Sequence, residues 1–290
     1  MSSKSLIDLI GNTPLIKVPV NSKTSIVLAK CEGNNPGGSI KDRAALRMID
    51  DAEANGQIKK GDTLIEATSG NTGIALSMVA AIKGYRIIII MPETVSSERI
   101  KTMKVYGAEV ILVSKEEDME GARDLAVKMS LSGQGFVLDQ FSNNSNYMAH
   151  FEGTGPEIWE QTEGKVTHFV SAMGTTGTIT GVSMFLKKKN KEIEIIGVQP
   201  EDGSKIPGIR RWRHGYEPEI RKNAIIDEII DISQKDAEFT SSELSIKNGI
   251  FCGVSAAANI NISRRIAEQN ENARVVTILC DRGDRYLSKL

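Results

Sequence analysis

Residues 85–91 read YRIIIIM. Four consecutive isoleucines followed by a methionine leave no polar face. A strand of this kind must be covered on both sides, as in a parallel sheet between two helical layers. The same grammar runs along the chain. Short apolar runs at 26–31, 63–67, 109–113, 136–138, 167–173, 194–199, 225–232 and 274–280 read as strands. Stretches with helical spacing follow or separate them at 42–54, 72–83, 97–106, 119–132, 147–162, 178–188, 236–248 and 256–270. Strands alternating with helices predict an α/β fold with largely parallel sheets. Each half of the chain has its own series, which places a division near residues 140–150. The longest irregular stretch is 200–223, and loops of that length are often functional.

Composition excludes several classes. The chain has 290 residues, enough for one large domain or two ordinary ones. Its formal net charge is −1, so neither a nucleic-acid partner nor a membrane surface is expected. The run KKKNK at 187–191 reads as a solvated helix end, where cations suit the dipole. Cys31, Cys252 and Cys280 form no C-x-x-C pair, and His150, His168 and His214 are scattered, so no metal site is expected. The start MSSKSLIDLIGNTPL lacks a signal-peptide layout, and a reducing cytoplasm is the expected compartment. The final Ser288-Lys289-Leu290 matches a peroxisomal address, which carries weight only in a cell with peroxisomes.

Three turns at strand ends carry the chemistry, because open α/β folds bind ligands beyond the carboxyl ends of their strands. ATSGNTGIAL (67–76) supplies Thr68, Ser69, Asn71 and Thr72 with Gly70 and Gly73, just where a helix opens. Backbone N–H groups there suit an anion such as a carboxylate, although a plain capped turn has the same outline. AMGTTGTITG (172–181) offers Gly174, Thr175, Thr176, Gly177 and Thr178, a phosphate cradle in outline. It is neither G-x-G-x-x-G nor a Walker A loop. In FCGVSAAAN (251–259), Ser255 stands before an alanine-rich helix, and an N-cap is its plain reading.

A fourth feature is a lysine in an unexpected place. GNNPGGSIKDRAA (33–45) is a loop that becomes a helix at about Asp42, so Lys41 sits at the positive end of a helix dipole. Shielded from water there, its amine loses a proton more easily and becomes a nucleophile able to form a Schiff base with an aldehyde. Pyridoxal 5′-phosphate carries both an aldehyde and a phosphate.

With these residues in place, the chain resembles the fold-type II pyridoxal-phosphate enzymes of the cysteine synthase (O-acetylserine sulfhydrylase) family. IGNTPL (10–15), NPGGSIKDR (35–43), TSGNTGIAL (68–76), MPETVSSER (91–99) and GTGPEIW (153–159) carry the resemblance, which covers nearly the whole chain. GTTGTITGV (174–182), PGIRRW (207–212), IFCGVS (250–255) and CDRGDRYLS (280–288) look like the B-type members. The resemblance implies a two-domain, tryptophan synthase β-like fold. Its smaller, mobile domain would be 35–146, and 1–34 plus 147–290 would form the larger one.

The resemblance also implies roles. Lys41 matches the Schiff-base lysine, Asn71 the residue bonding the cofactor ring oxygen, and Gly174, Thr175, Thr176, Gly177 and Thr178 the phosphate loop. Ser255 matches the serine facing the pyridine nitrogen. Thr68, Ser69, Thr72 and Gln140 match the amino-acid carboxylate pocket, and Arg210 and Arg211 the B-type basic loop. The implied enzyme is a transferase. It replaces the acetate of O-acetyl-L-serine through an aminoacrylate, with sulfide giving cysteine or thiosulfate giving S-sulfocysteine. A homodimer is implied, without a serine acetyltransferase complex.

The chain departs from the family pattern at Ala256-Ala257-Ala258 and at Arg213-His214 after Trp212. A serine or threonine dehydratase and a cystathionine β-synthase share the fold. A nucleotide-binding or inactive binding protein is the reading from another class.

Overall fold

The structure is a computed structural model that describes residues 4–212 and 215–289. The departure at Arg213-His214 and the terminal Leu290 of the tripeptide address lie outside the described residues.

After a short 3-10 helix (Leu6–Leu9), a hairpin of β1 (Leu15–Val18) and β2 (Ile26–Cys31) leads to helix α1 (Lys41–Ala54). A first series follows: β3 (Thr63–Ala67), α2 (Asn71–Lys83), β4 (Arg86–Pro92), α3 (Ser97–Val105), β5 (Glu109–Val113), α4 (Asp118–Leu131) and β6 (Phe136–Val137). Then come α5 (Asn144–Ala149), a π turn (His150–Thr154) and α6 (Gly155–Gln161). The second series is β7 (His168–Ala172), α7 (Gly177–Lys189), β8 (Glu194–Pro200), β9 (Glu228–Ile232), α8 (Gln234–Asn248), α9 (Val254–Gln269) and β10 (Arg274–Leu279).

These strands make two sheets. One has the order β5-β4-β3-β6 and is parallel throughout. The other has the order β1-β2-β10-β7-β8-β9 and is parallel except for the β1–β2 hairpin. The isoleucine run is β4, central in the smaller sheet and buried from Ile87 to Met91. One face is covered by a core that includes Met48 and Ile49 of α1 and Leu76 and Val79 of α2. The other is covered by Ala122, Ala126 and Met129 of α4. Helix α2 buries residues almost all round, as a helix pressed between layers must. The larger sheet is covered likewise, by α8 and α9 on one face and by α6 and α7 on the other.

Two expectations change. The helix predicted over 147–162 is α5 and α6 joined by the π turn. Pro156, near the start of α6, has no N–H to donate to the preceding turn, and Gly153 and Gly155 weaken the helix on either side. The strand β1 is absent from the sequence expectation, because LIKV is short and only half-buried. The lysine run ends α7 as predicted, with Lys187 paired to Asp227 at 2.7 Å.

Candidate active site

The carboxyl ends of β3 and β7 open onto one cavity of about 1010 Å³. All the residues expected at the site line it: Lys41, Thr68, Ser69, Asn71, Thr72, Gln140, Gly174, Thr175, Thr176, Gly177, Thr178, Arg210, Arg211 and Ser255.

Lys41 is the first residue of α1. The loop before it is tied down on both sides. The Ile40 N–H donates to the Cys280 carbonyl at 2.9 Å, and the Gly37 N–H donates to the carboxyl of buried Asp42. The Lys41 amine donates to Thr175 Oγ1 at 3.2 Å. Burial pushes its pKa down, and an ionised Cys280 would oppose that shift. Burial also pushes the Cys280 thiol up to about 12, so it stays protonated and the opposition is lost. The lysine therefore releases its proton more readily than an exposed one.

The turn after β7 is built tightly around Thr175. Its hydroxyl oxygen also accepts from Asn146 Nδ2 at 3.3 Å and from the Gly177 N–H at 3.4 Å. Thr176 adopts the left-handed region at φ +68°, rare for a β-branched residue, and its buried hydroxyl has no protein partner. A Cβ on Gly174 would lie 2.5 Å from the Gly208 carbonyl, and one on Gly177 would lie 2.2 Å from Asn146 Oδ1. Beneath the turn, buried His150 faces Thr178 Oγ1 at 3.4 Å and Thr154 Oγ1 at 2.9 Å. Burial first, then the Lys41 and Arg43 charges, hold its pKa well below the usual value, so it is neutral.

The turn after β3 is reached from other elements. The Thr72 hydroxyl donates to Gln140 Oε1 at 2.7 Å. The Ser69 carbonyl accepts from Arg99 at 3.2 Å. Asn71 Nδ2 donates to Asp281 at 2.7 Å, and its amide oxygen accepts from Arg285. Asp281 also accepts from Tyr286 at 2.6 Å, and Arg99 lies over the Tyr286 ring at 5.3 Å. One N–H of Asn71 remains free to face the cavity.

Ser255 is not an N-cap. Gly253 holds that position, and Ser255 is the second residue of α9, facing the cavity beside the Cys280 thiol. The two arginines of the long loop separate in role. Arg211 is held by Asp231, by Asp202 at 3.1 Å and by the Pro200 carbonyl at 3.0 Å. Arg210 stacks on Trp212 at 5.6 Å, and among the described residues no carboxylate pairs with it. Trp212 in turn donates to the Gly174 carbonyl at 2.8 Å, fastening the loop to the tight turn.

Sequence reasoning missed Asp281, Arg285, Tyr286, Arg99, Asn146, His150 and Glu66. Of these, Arg99, Asp281, Arg285 and Tyr286 lie in stretches that carry the resemblance, and Glu66 gave a signal of its own: a carboxylate inside the apolar strand TLIEA. Among the described residues no cluster of three His, Cys, Asp or Glu could hold a metal ion. No helix among them is long and apolar enough to cross a membrane.

Over residues 6–281 the chain matches the pyridoxal-phosphate dependent enzymes. It belongs to that family. Its cofactor is pyridoxal phosphate, and the site fits it. The turn after β7 opens a 13-residue helix, offers an unpartnered buried hydroxyl at Thr176, and lies within reach of an easily deprotonated lysine. The chain is 59% identical over 283 residues to cysteine synthase B of Escherichia coli (strain K12), covering 96% of this chain and 93% of that protein. It is 55% identical over 286 residues to cysteine synthase B of Pseudomonas aeruginosa, covering 98% and 96%. The crystal structure of cysteine synthase from Entamoeba histolytica, 39% identical, superposes with a TM-score of 0.93 over 99% of this chain and 90% of that one.

Proposed function

We propose that this enzyme is a cysteine synthase that replaces the acetate of O-acetyl-L-serine with sulfide, giving L-cysteine, and that also takes thiosulfate, giving S-sulfocysteine. One observation carries the reading. A depressed-pKa lysine faces a threonine–glycine helix entrance, with a second polar helix entrance across the same cavity.

Gly174 to Thr178 would hold the cofactor phosphate with the N–H groups that open α7. Lys41 would hold the aldehyde carbon, Asn71 would face the ring oxygen with its free N–H, and Ser255 would face the pyridine nitrogen. Bound there, pyridoxal phosphate supplies a ring that withdraws electrons from the substrate α-carbon. A hydroxyl such as Ser255 does not hold the ring nitrogen as a full cation. That favours expulsion of a β-substituent, which carries the charge away.

Thr68, Ser69, Thr72 and Gln140 surround the N-terminus of α2, where a carboxylate is stabilised by N–H groups and dipole. Docked there, with the substrate's own amine taking the place of Lys41 on the aldehyde carbon, the substrate would present its α-hydrogen to the freed Lys41 amine, which would take the proton as general base and return it to the product. Arg210 draws in the dianionic sulfur donor. Arg211 is already neutralised by Asp202 and Asp231, so its part is to hold the loop.

The division at 35–146 fits the sheet topology, since every strand of the smaller sheet falls inside it. The homodimer, the lack of a serine acetyltransferase complex and the cytoplasmic location rest on the family resemblance. Light scattering with and without the acetyltransferase tests the first two.

The direct test gives the holoenzyme O-acetylserine with equal sulfide and thiosulfate and quantifies products by mass spectrometry. Cysteine together with S-sulfocysteine is expected. Cysteine alone removes the thiosulfate reading, and pyruvate alone moves the enzyme to the dehydratases.

A further inference from the structure

Strand β3 holds an ionisable residue where, among the described residues, no opposite charge faces it. Glu66 pairs in register with Ile89 and is 2% exposed. By strand alternation it shares a face with Leu64, on the side of the sheet covered by α1 and α2. Its Oε1 accepts from the Gln140 N–H at 3.3 Å. Its Oε2 is buried without a partner.

Among the described residues, the surrounding elements bring no cation to it. On α1, Arg43 is paired with Glu32 and Glu157, Arg47 with Asp51 and Glu152, and the Lys41 amine is turned to Thr175. On β4 the charged residue is Arg86, at the exposed start of the strand. The strand β6 has no charged residue. On α2, Lys83 lies in the last turn, paired with Asp50 and Glu53. The charged residues of α4 belong to the helix covering the opposite face of the sheet. Asp139 acts on Glu66 through space, and it is a like charge. Burial, opposed by hydrogen bonds from Gln140 and Asp139, pushes the carboxyl up to about 8.

Gln140 links this acid to the site. Its side-chain amide lies against the Glu66 carboxyl, and its Oε1 accepts the Thr72 hydroxyl at 2.7 Å. A glutamine with its oxygen committed to Thr72 has its NH₂ group fixed in direction. A negative charge behind that group would oppose an incoming carboxylate, whereas a neutral acid would not.

We propose that Glu66 is a positioning residue: as a neutral carboxylic acid it orients Gln140, whose Oε1 holds the Thr72 hydroxyl and whose amide N–H is thereby aimed to receive the substrate's α-carboxylate. This rests on the reading that Thr72 and Gln140 bind that carboxylate. Two consequences follow. Removing the acid weakens substrate binding more than turnover. Ionising it, as pH rises through about 8, weakens carboxylate binding in the native enzyme.

The test compares the wild-type holoenzyme with Glu66→Leu and Glu66→Gln. KM and kcat are measured with O-acetylserine and sulfide. Binding of L-alanine, which has no leaving group, and of L-alaninamide, which has no carboxylate, is followed by the cofactor's visible absorption from pH 7 to 9. Loss of one buried hydrogen-bond partner, about 1.4 kcal/mol, corresponds to a rise of about tenfold in KM for Glu66→Leu, with kcat nearly unchanged. Glu66→Gln should recover most of that loss. The alkaline weakening of alanine binding should be steeper in the wild type than in Glu66→Gln, and alaninamide should show no such difference. Equal KM values and pH profiles in all three proteins overturn the proposal. So does a Glu66→Leu variant that binds alanine and alaninamide equally worse, since that marks a packing defect. If the wild type turns over no O-acetylserine, the proposed function fails, and the alanine and alaninamide titrations still decide the role of Glu66.

Discussion

Two turns leave the ends of parallel strands and open 13-residue helices, yet they are built differently. The turn at 172–178 is packed from behind. Its glycines leave no room for a Cβ beside Gly208 and Asn146, its Thr175 hydroxyl is met from three sides, and Thr176 is held in a strained backbone. The turn at 67–73 is looser around Gly70, although a Cβ on Gly73 would lie 2.8 Å from Met103. Gly70 is extended at φ −126°, a Cβ added to it would meet nothing within 4 Å, and Ser69 and Asn71 are only half-buried. Its partners come from Gln140, α3 and the C-terminal segment. A rigid cradle suits a guest that stays, such as a cofactor phosphate. A loose one suits a guest that arrives and leaves with each turnover. The two helix entrances share an electrostatic design, and packing assigns them different work.

The contrast breaks most completely at Lys41, whose amine reaches Thr175 in the rigid turn. Lys41→Ala should lower cysteine formation by on the order of 10²–10⁴-fold, the range for losing a general base, as read by product release under saturating substrate. Next is Gly177→Ala. Its new methyl would sit 2.2 Å from Asn146 Oδ1, so either the turn or Asn146 must move. Overpacking of this kind costs about 1–3 kcal/mol, visible as a lower Tm, and cofactor retention on dialysis should fall with it. Unchanged cofactor retention would show that the turn is not the rigid cradle.

The sequence made both turns legible because their signal is local. Glycines and hydroxyls clustered at a strand end have few other uses, and YRIIIIM allowed little besides a covered parallel strand. What stayed hidden depends on contacts far apart in the chain. Asn71 meets Asp281 across 210 residues and Arg285 across 214, and no spacing rule relates them. His150 reads as one scattered histidine until the π turn carries it beneath Thr178. Glu66 is visible as a misfit in its strand, but its meaning requires Gln140 at its side. The N-cap reading of Ser255 fails because the helix begins two residues earlier than its alanines suggest.

Finer substitutions test whether strain in the rigid turn is functional. Thr176→Gly removes a side chain from φ +68°, relieving about 1 kcal/mol of backbone strain, while glycine returns about 0.5–1 kcal/mol of unfolded-chain entropy. The two nearly cancel, so the Tm of the apoprotein should hardly move. The buried hydroxyl is lost, however, and with it the hydrogen bond it would give the phosphate. Cofactor affinity should therefore fall by up to about tenfold in equilibrium dialysis. A lower apoprotein Tm at unchanged affinity would assign Thr176 to stability alone.

The smallest effect should come from Gly70→Ala in the loose turn. Gly70 has an ordinary extended backbone, and its new methyl would point into open space. Stability should stay within about 0.5 kcal/mol and cofactor retention should not change. The methyl enters the space where the substrate carboxylate would dock, so KM for O-acetylserine should rise while Tm does not. A fall in Tm comparable to that of Gly177→Ala would erase the difference between the two turns. A rise in KM alone would place the loose turn's role in the passage of substrate.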